Sequence, residues 1–388
     1  MTAPVIAPPP TLRELARVFT WLGMTSVGGP AAHVALLREE VVVRRRWVSD
    51  ARFVELLGVV NLLPGPNSTE LAIHLGKDLA GTRGLIVAGL GFIVPAMLIT
   101  GAAAYAYVHA GLRPEVGALF DGVKPIVAAI VVHALVALAP PTLATARARV
   151  VGAVALLASL GGAHELAVLA ASGFTLAALA RGENQGLTKS SFAPLLAPIA
   201  AAPHVAGAAA APSVHVGAGA LFGSFAKIGS VLYGSGYVLV AFLRAEFVER
   251  LGWIREAQLL DAVAVGQATP GPVFTTATFL GFVLGGVPGA LAATAGIFAP
   301  AFFFVFVADG LTRRLRTSRI GCAFLEGVNV ASLALMAHVS LSLARTAVVD
   351  VVTLVLAAGA ALALVKRRAT PTRLLALGAL VGVVRGLA

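Results

Sequence analysis

The chain has 388 residues, of which 58% are apolar and only 12% charged, with a mean hydropathy of +0.91. Soluble domains carry about 25% charged residues, so composition excludes an ordinary soluble protein. The formal net charge of +11 raises the question of nucleic acid, but the arginines sit in short segments between apolar runs, as cytoplasmic topology signals do. In chain order, residues 1–10 contain four prolines and no basic n-region, so no cleavable signal is expected. Apolar stretches follow at Leu85 to Tyr107, Val123 to Ala139, Gly289 to Val307 and Val348 to Val365. Each is long enough, at roughly 17–25 residues, to span a bilayer as a helix. Alternating short strands of the kind a barrel needs do not occur, so the expected fold is an all-α polytopic membrane protein. One cysteine, Cys322, excludes an intrachain disulfide and a cysteine metal cluster.

The chain repeats itself. Pro64-Gly65-Pro66 recurs as Pro270-Gly271-Pro272, 206 residues later. At the same offset Phe19 matches Phe225, Gly23 matches Gly229, Gly28 matches Gly234, Arg38 matches Arg244, Glu40 matches Glu246 and Trp47 matches Trp253. Beyond a one-residue slip the offset is 205, pairing Gly76 with Gly281, Gly81 with Gly286, Gly84 with Gly289, Gly122 with Gly327 and His133 with His338. Residues 12–181 form one unit, 182–216 an Ala/Pro/Gly-rich linker and 217–388 the second unit. Duplication with an interrupted helix in each half points to a transporter's binding site.

Lysine and arginine counts set the expected orientation. In the first half, segments 37–52, 109–119, 140–150 and 161–165 carry five, one, two and none. The corresponding segments 243–258, 309–320, 345–354 and 366–373 carry three, four, one and four. The rich–poor alternation reverses, as it does when the halves are inverted-topology repeats and cations collect on one face.

Proline lacks an amide hydrogen and clashes with the preceding turn, so Pro-Gly-Pro in an apolar run ends one helix and begins another. Broken backbone at membrane depth is tolerated where it is buried in protein or lines a wet cavity. The new helix presents unpaired amides and a positive dipole end, which suit an anion. Asn67, Ser68 and Thr69 follow one break; Gln267 and Thr269 precede the other, and Thr275 and Thr276 follow it. Two such termini meeting near the midplane would form a cage for a tetrahedral oxyanion. The plainer alternative is a pair of proline kinks between packed helices.

Ionisable residues within apolar runs are expensive unless functional or paired. Lys227 and Lys124 break the repeat symmetry, since their mates are Trp21 and Asn329. Each reads equally as an anion ligand or as a side chain near a helix end that reaches the interface. His33, following Gly28-Gly29-Pro30, is a candidate donor to an anion or a titrating group. His133 and His338 are symmetric mates and read as packing residues. Glu70 and His74 have metal-ligand spacing but no third ligand, and Glu70 is the better proton carrier or partner for a buried cation. Glu39, Glu40 and Arg44 to Arg46 read as a solvated loop at the membrane edge.

These residues together resemble the chromate ion transporter (CHR) family, long two-domain class. The first half is similar to the family's opening motif through Phe19, Leu22-Gly23, Gly28-Gly29-Pro30, His33, Arg38, Glu40, Trp47, Pro64 to Glu70 and Gly76. The second is similar to its partner motif through Phe225 to Gly229, Gly234 to Tyr237, Glu246, Trp253, Gln267, Thr269 to Pro272, Thr278-Phe279, Gly281 and Pro300. Val27, Leu232-Tyr233 and Ser235 depart from the pattern. The resemblance implies efflux of chromate across the inner membrane and chromate resistance, with sulfate as competitor, the lipid bilayer as surroundings and compatibility with a homodimer. It implies a secondary carrier driven by membrane potential, alone or coupled to protons through Glu70 or His33, including as an antiporter. No enzymatic step, cofactor, metal or nucleic acid is expected. The rival expectations are export or exchange of another oxyanion, a passive anion channel, and a membrane enzyme acting on phosphorylated lipid.

Overall fold

The computed structural model describes residues 7–26, 30–60, 63–110, 114–184, 216–233, 236, 238–366 and 369–387. Among these residues there are fourteen α-helices and no strand. The first seven are α1 (Leu12–Thr25), α2 (Pro30–Arg38), α3 (Asp50–Val60), α4 (Asn67–Ala110), α5 (Pro114–Thr142), α6 (Ala146–Leu160) and α7 (Glu165–Asn184). The second seven are α8 (Ala218–Val231), α9 (Leu239–Leu243), α10 (Glu256–Ala268), α11 (Thr276–Thr317), α12 (Arg319–Ala347), α13 (Val351–Val365) and α14 (Pro371–Leu387). The two series correspond one to one. Of the sequence's linker, residues 182–184 continue α7 and 185–215 lie outside the described residues.

Among the described residues, four helical stretches are long and apolar enough to cross a membrane: Asn67–His109, Ala118–Thr142, Val273–Val307 and Arg319–Ala347. The apolar run at 348–365 becomes a shorter helix, α13, because Asp350 caps its start by accepting from the Thr353 amide at 2.8 Å. Large apolar side chains such as Leu98, Leu157, Phe303 and Val355 are more than half exposed, an outer surface suited to lipid rather than water.

The helices after the Pro-Gly-Pro turns are not straight. In α4, Ala80 (φ −145, ψ 26) and Gly81 (φ 62, ψ −150) leave helical geometry, and in α11 Gly285 (φ −147, ψ 18) and Gly286 (φ 61, ψ −152) do so almost identically. The conformation of Gly81 and Gly286 is accessible essentially only to glycine. The chain reverses there: Gly76 abuts the Gly84 carbonyl, and Gly281 that of Gly289. Residues eight apart on a continuous helix would be about 12 Å apart. Each long helix is therefore a hairpin of a short arm, running from Asn67 or Thr276, and a long one.

The long arms of α4 and α11 pack on each other. Gly89 touches Phe302, whereas Gly101 touches Thr278, whose hydroxyl lies 2.7 Å from that of Thr294. As the α4 index rises the α11 index falls, so the two arms are antiparallel. The repeats also exchange partners: α5 packs against α13 and α14, while α12 packs against α6 and α7. Gly122 meets the Gly378 and Gly382 backbones, and its mate Gly327 meets those of Ser172 and Gly173, the close approach that small residues permit in membranes. The units repeated in sequence are thus interlocked in space.

Candidate functional site

The two Pro-Gly-Pro turns are held by reciprocal hydrogen bonds between the halves. The Gly65 amide donates to the Leu232 carbonyl at 2.7 Å, and the Gly271 amide donates to the Ser26 carbonyl at 2.7 Å. Ser26 and Leu232 are themselves mates, each ending the first helix of its half. Gly65 (φ 141) and Gly271 (φ 90) both have positive φ, so glycine is required to turn each amide outward toward the other half. Gly271 is wedged against Ala96 of α4 and the Gly23 carbonyl of α1.

Around the first turn, Pro64, Gly65, Pro66, Ser68, Thr69 and Glu70 are buried and Asn67 is half-buried. The Glu70 amide donates to the Pro66 carbonyl at 2.9 Å, which starts the helical ladder. Amides before that point have no acceptor one turn back within the helix. His33 on α2 lies against this start, with Nδ1 3.3 Å from Ser68 Oγ and its ring edge-on to Phe92. The glycines that precede it, Gly28 and Gly29, lie outside the described residues.

The second turn is a hydroxyl cluster. Thr100, from the long arm of α4, has its Oγ1 3.2 Å from that of Thr269 and 3.2 Å from that of Thr275. Thr269 caps α10 and donates to the Val265 carbonyl at 2.9 Å, and Thr275 donates to the Pro272 carbonyl at 2.9 Å. Gln267 is buried, Gly271 and Pro272 are buried, and Thr269 and Pro270 are half-buried. Several buried polar atoms near the two turns have no hydrogen-bond partner among the described residues: Ser26 Oγ, Thr69 Oγ1, both Glu70 carboxyl oxygens and Gln267 Nε2. Buried polar groups are ordinarily bonded, so such a concentration marks a place for polar chemistry.

Lys124 and Lys227 are differently placed from the turn residues. Lys124 Nζ lies 2.9 Å from Asp121 Oδ1 and 3.6 Å from Asp261, which also accepts from Tyr107 at 2.9 Å. Lys227 donates to Glu246 at 2.8 Å, and Arg250 Nε donates to the same carboxylate at 2.8 Å. Both ammonium groups are thus partnered by carboxylates, which reduces the positive field either offers a dianion. The segment containing Glu39 and Glu40 is also not a solvated loop: it is a π-helical turn, Glu39–Arg44, mirrored by Arg244–Arg250. Glu40 and Glu246 are buried there, Glu40 accepting from Arg45 at 2.7 Å. Paired arginines let these carboxylates sit inside at modest cost.

Two cavities lie away from the turns. One of about 350 Å³ is lined by Asp121, Lys124, Asp350, Thr353 and Arg385, and a smaller one of about 60 Å³ by Ser159, Arg244, Glu249 and His338. His338 Nδ1 is 2.7 Å from Ser159 Oγ, so this histidine links α12 to α6. No group of three or more His, Cys, Asp or Glu side chains able to hold a metal occurs among the described residues.

A duplicated, interlocked set of apolar helices with paired helix-breaking turns is the architecture of a multi-pass membrane transporter. The chromate transporter family model matches residues 13–177 and again residues 219–383, and the chain belongs to that family. It is 33% identical over 354 residues to a chromate transport protein of Pseudomonas aeruginosa, covering 89% of this chain and 84% of that one. A chromate transport protein of Cupriavidus metallidurans is 29% identical over 386 residues, 97% of this chain and 94% of its own. A probable chromate transport protein of Synechococcus elongatus is 30% identical over 352 residues, 90% and 88% of the two chains. No solved structure matches.

Proposed function

We propose that this chain is a chromate exporter of the inner membrane that confers chromate resistance, with sulfate as the competing look-alike. The observation that carries the reading is the reciprocal docking of the two Pro-Gly-Pro turns, Gly65 on Leu232 and Gly271 on Ser26. On this reading the two helix starts, the Thr100–Thr269–Thr275 hydroxyls and His33 with Ser68 together supply the donors of the site. The proposed oxyanion ligands are the segments Pro64 to Thr69 and Thr269 to Pro272 with Gln267, Thr275 and His33, backed by Gly28 and Gly29. Neutral amides, hydroxyls and dipole ends suit a dianion that must also leave.

Residues 12–181 and 217–388 act in this reading as inverted-topology repeats. The antiparallel packing of the long arms of α4 and α11, equivalent elements of the two halves, supports inversion. So does the reversed distribution of lysine and arginine. Moving a dianion out of an inside-negative cell releases about 4–5 kcal/mol for each 100 mV, so the membrane potential suffices to drive export. Since both turns are largely buried, loading and release require the halves to rock relative to one another, as in alternating access.

The test is uptake of radioactive chromate by inside-out vesicles under an imposed potential, with excess sulfate as competitor. Potential-dependent uptake that sulfate blocks weakly is the expected result. Uptake abolished by sulfate identifies a general oxyanion carrier, and no uptake of either anion by folded protein removes the reading.

A further inference from the structure

Glu70 occupies the first turn of α4, immediately after Pro64-Gly65-Pro66, with none of its surface exposed. Neither carboxyl oxygen has a hydrogen-bond partner among the described residues. Its direction is fixed by the turn: a methyl group in place of the Gly65 hydrogen would collide with Glu70 Oε1. The carboxyl is therefore folded back onto the Pro-Gly-Pro element rather than pointed along the arm.

The other charged and titratable groups around it leave this carboxyl unpaired. Tyr233, beyond the end of α8, is near enough to feel its charge. On α2, His33 is engaged with Ser68. On α4 itself, His74 lies one turn on, and Lys77 donates to the Val305 and Phe306 carbonyls at 2.9 and 3.1 Å. On α3, Arg52 binds Glu55 and Asp78, toward the far end of the arm. On α1, Glu14 is committed to Thr11, and Arg13 and Arg17 share its end of that helix. The segment of α11 packed against α4 up to Val307 carries no titratable residue.

A carboxylate near a helix N-terminus gains from the dipole, but a buried one with no donor lacks the hydrogen bonds that make burial tolerable. The same positive end is where the proposed oxyanion sits. An ionised Glu70 and a dianion would compete for one helix terminus, at short range and low dielectric, where like charges repel most strongly. A proton on Glu70 removes the conflict and turns a repelling acceptor into a donor.

Resting on the oxyanion reading above, we propose that Glu70 is a proton-binding site whose protonation is required for oxyanion binding, so that chromate and a proton bind and move together. Proton and anion then bind with positive, reciprocal linkage. The charge translocated per cycle is that of the anion less one, so the potential acts on a smaller charge and an inward proton gradient opposes export.

The experiment is equilibrium binding of radioactive chromate to the purified full chain in lipid nanodiscs across neutral to alkaline pH, beside Glu70→Gln. Sulfate, a dianion throughout this range, serves as second probe and separates the protein's titration from chromate's own. Expected is an affinity that falls with rising pH, approaching about tenfold per pH unit, for both anions, and a flat profile in Glu70→Gln. Proton uptake on anion addition in weak buffer, read with a pH dye, tests the wild type independently should the variant fold poorly. Chromate binding that is flat with pH and takes up no proton overturns the proposal while the oxyanion reading stands. The same pH profile in Glu70→Gln overturns it in favour of another titrating group. Binding that requires a monovalent cation instead of a proton overturns it also. No binding of either anion at any pH removes the oxyanion reading and this proposal with it.

Discussion

The Gly65 amide donates to the Leu232 carbonyl across the two halves at 2.7 Å, and it can do so because Gly65 holds φ at 141. An alanine there is strained by its backbone and drives its methyl into the Glu70 carboxyl; at Gly271 it meets Ala96 and the Gly23 carbonyl. A side chain can rotate away, whereas a backbone carbonyl cannot. Gly65→Ala should therefore yield folded protein with impaired chromate transport, and Gly271→Ala should lose folded protein. Size-exclusion profiles and vesicle uptake of the two variants separate these outcomes.

The hairpin bends make a stability prediction. Gly81 and Gly286 share φ near 61 with ψ near −151, a region that costs other residues about 1–3 kcal/mol. Nothing lies within 4 Å of where a Cβ would stand on Gly81, so its penalty is purely conformational. Gly81→Ala and Gly286→Ala should each lower the thermal midpoint in detergent, by similar amounts, without altering substrate preference.

Thr100 joins the halves through Thr269 and Thr275, both at 3.2 Å. Thr100→Val keeps the shape and removes the hydroxyl, at about 0.5–1.5 kcal/mol of stability. Its transport should fall well beyond that modest destabilisation, and Thr100→Ser should restore it. Equal loss in the valine and serine variants would assign the residue to packing alone.

Parts of this structure are legible in the sequence for physical reasons. Periodic apolar runs force helices, proline removes a donor, and equal residues at offsets of 206 and 205 expose the repeat. The hairpin bend is not announced, although Gly81 and Gly286 are visible as a matched pair, because a glycine within a helical stretch equally marks close packing. Thr100 is visible only as a single threonine in the run from Leu85 to Tyr107. Nothing local shows that it meets residues about 170 positions later. Asp121 is a local partner of Lys124, three residues before it, but the distant partners of Lys124 and Lys227 are likewise tertiary facts: Asp261 lies on α10 and Glu246 on a π-helical turn. The exchange of α13 and α14 onto α5 depends on packing between repeats, which a pattern within one repeat does not encode.

The Lys124–Asp261 pair yields a prediction that separates scaffold from site. Asp261 is buried and also accepts from Tyr107, so Lys124→Met leaves a buried carboxylate without its cation. Breaking one side of such a pair costs about 3–5 kcal/mol when fully buried, and less here, since the Lys124 side chain is 17% exposed. The double variant Lys124→Met/Asp261→Leu should recover much of the lost thermal stability and retain chromate transport. Recovery of stability with transport still absent would return Lys124 to the substrate path.

The proposed inversion of the halves makes the most direct topological prediction. The long arms of α4 and α11 are equivalent in the repeat yet antiparallel in space, Gly89 meeting Phe302 while Gly101 approaches Thr278, a short-arm residue whose hydroxyl is 2.7 Å from that of Thr294 on the long arm. Their C-terminal ends, leading to positions 113 and 316, therefore emerge at opposite ends of the pair. Segment 309–320 carries four cations and segment 109–119 one, which places 316 on the cytoplasmic side. A reporter tag at 316 should be shielded in intact cells and one at 113 reachable from outside. If both tags prove reachable from the same side, the arms cannot both cross the bilayer in this packing, and the inverted arrangement fails with them.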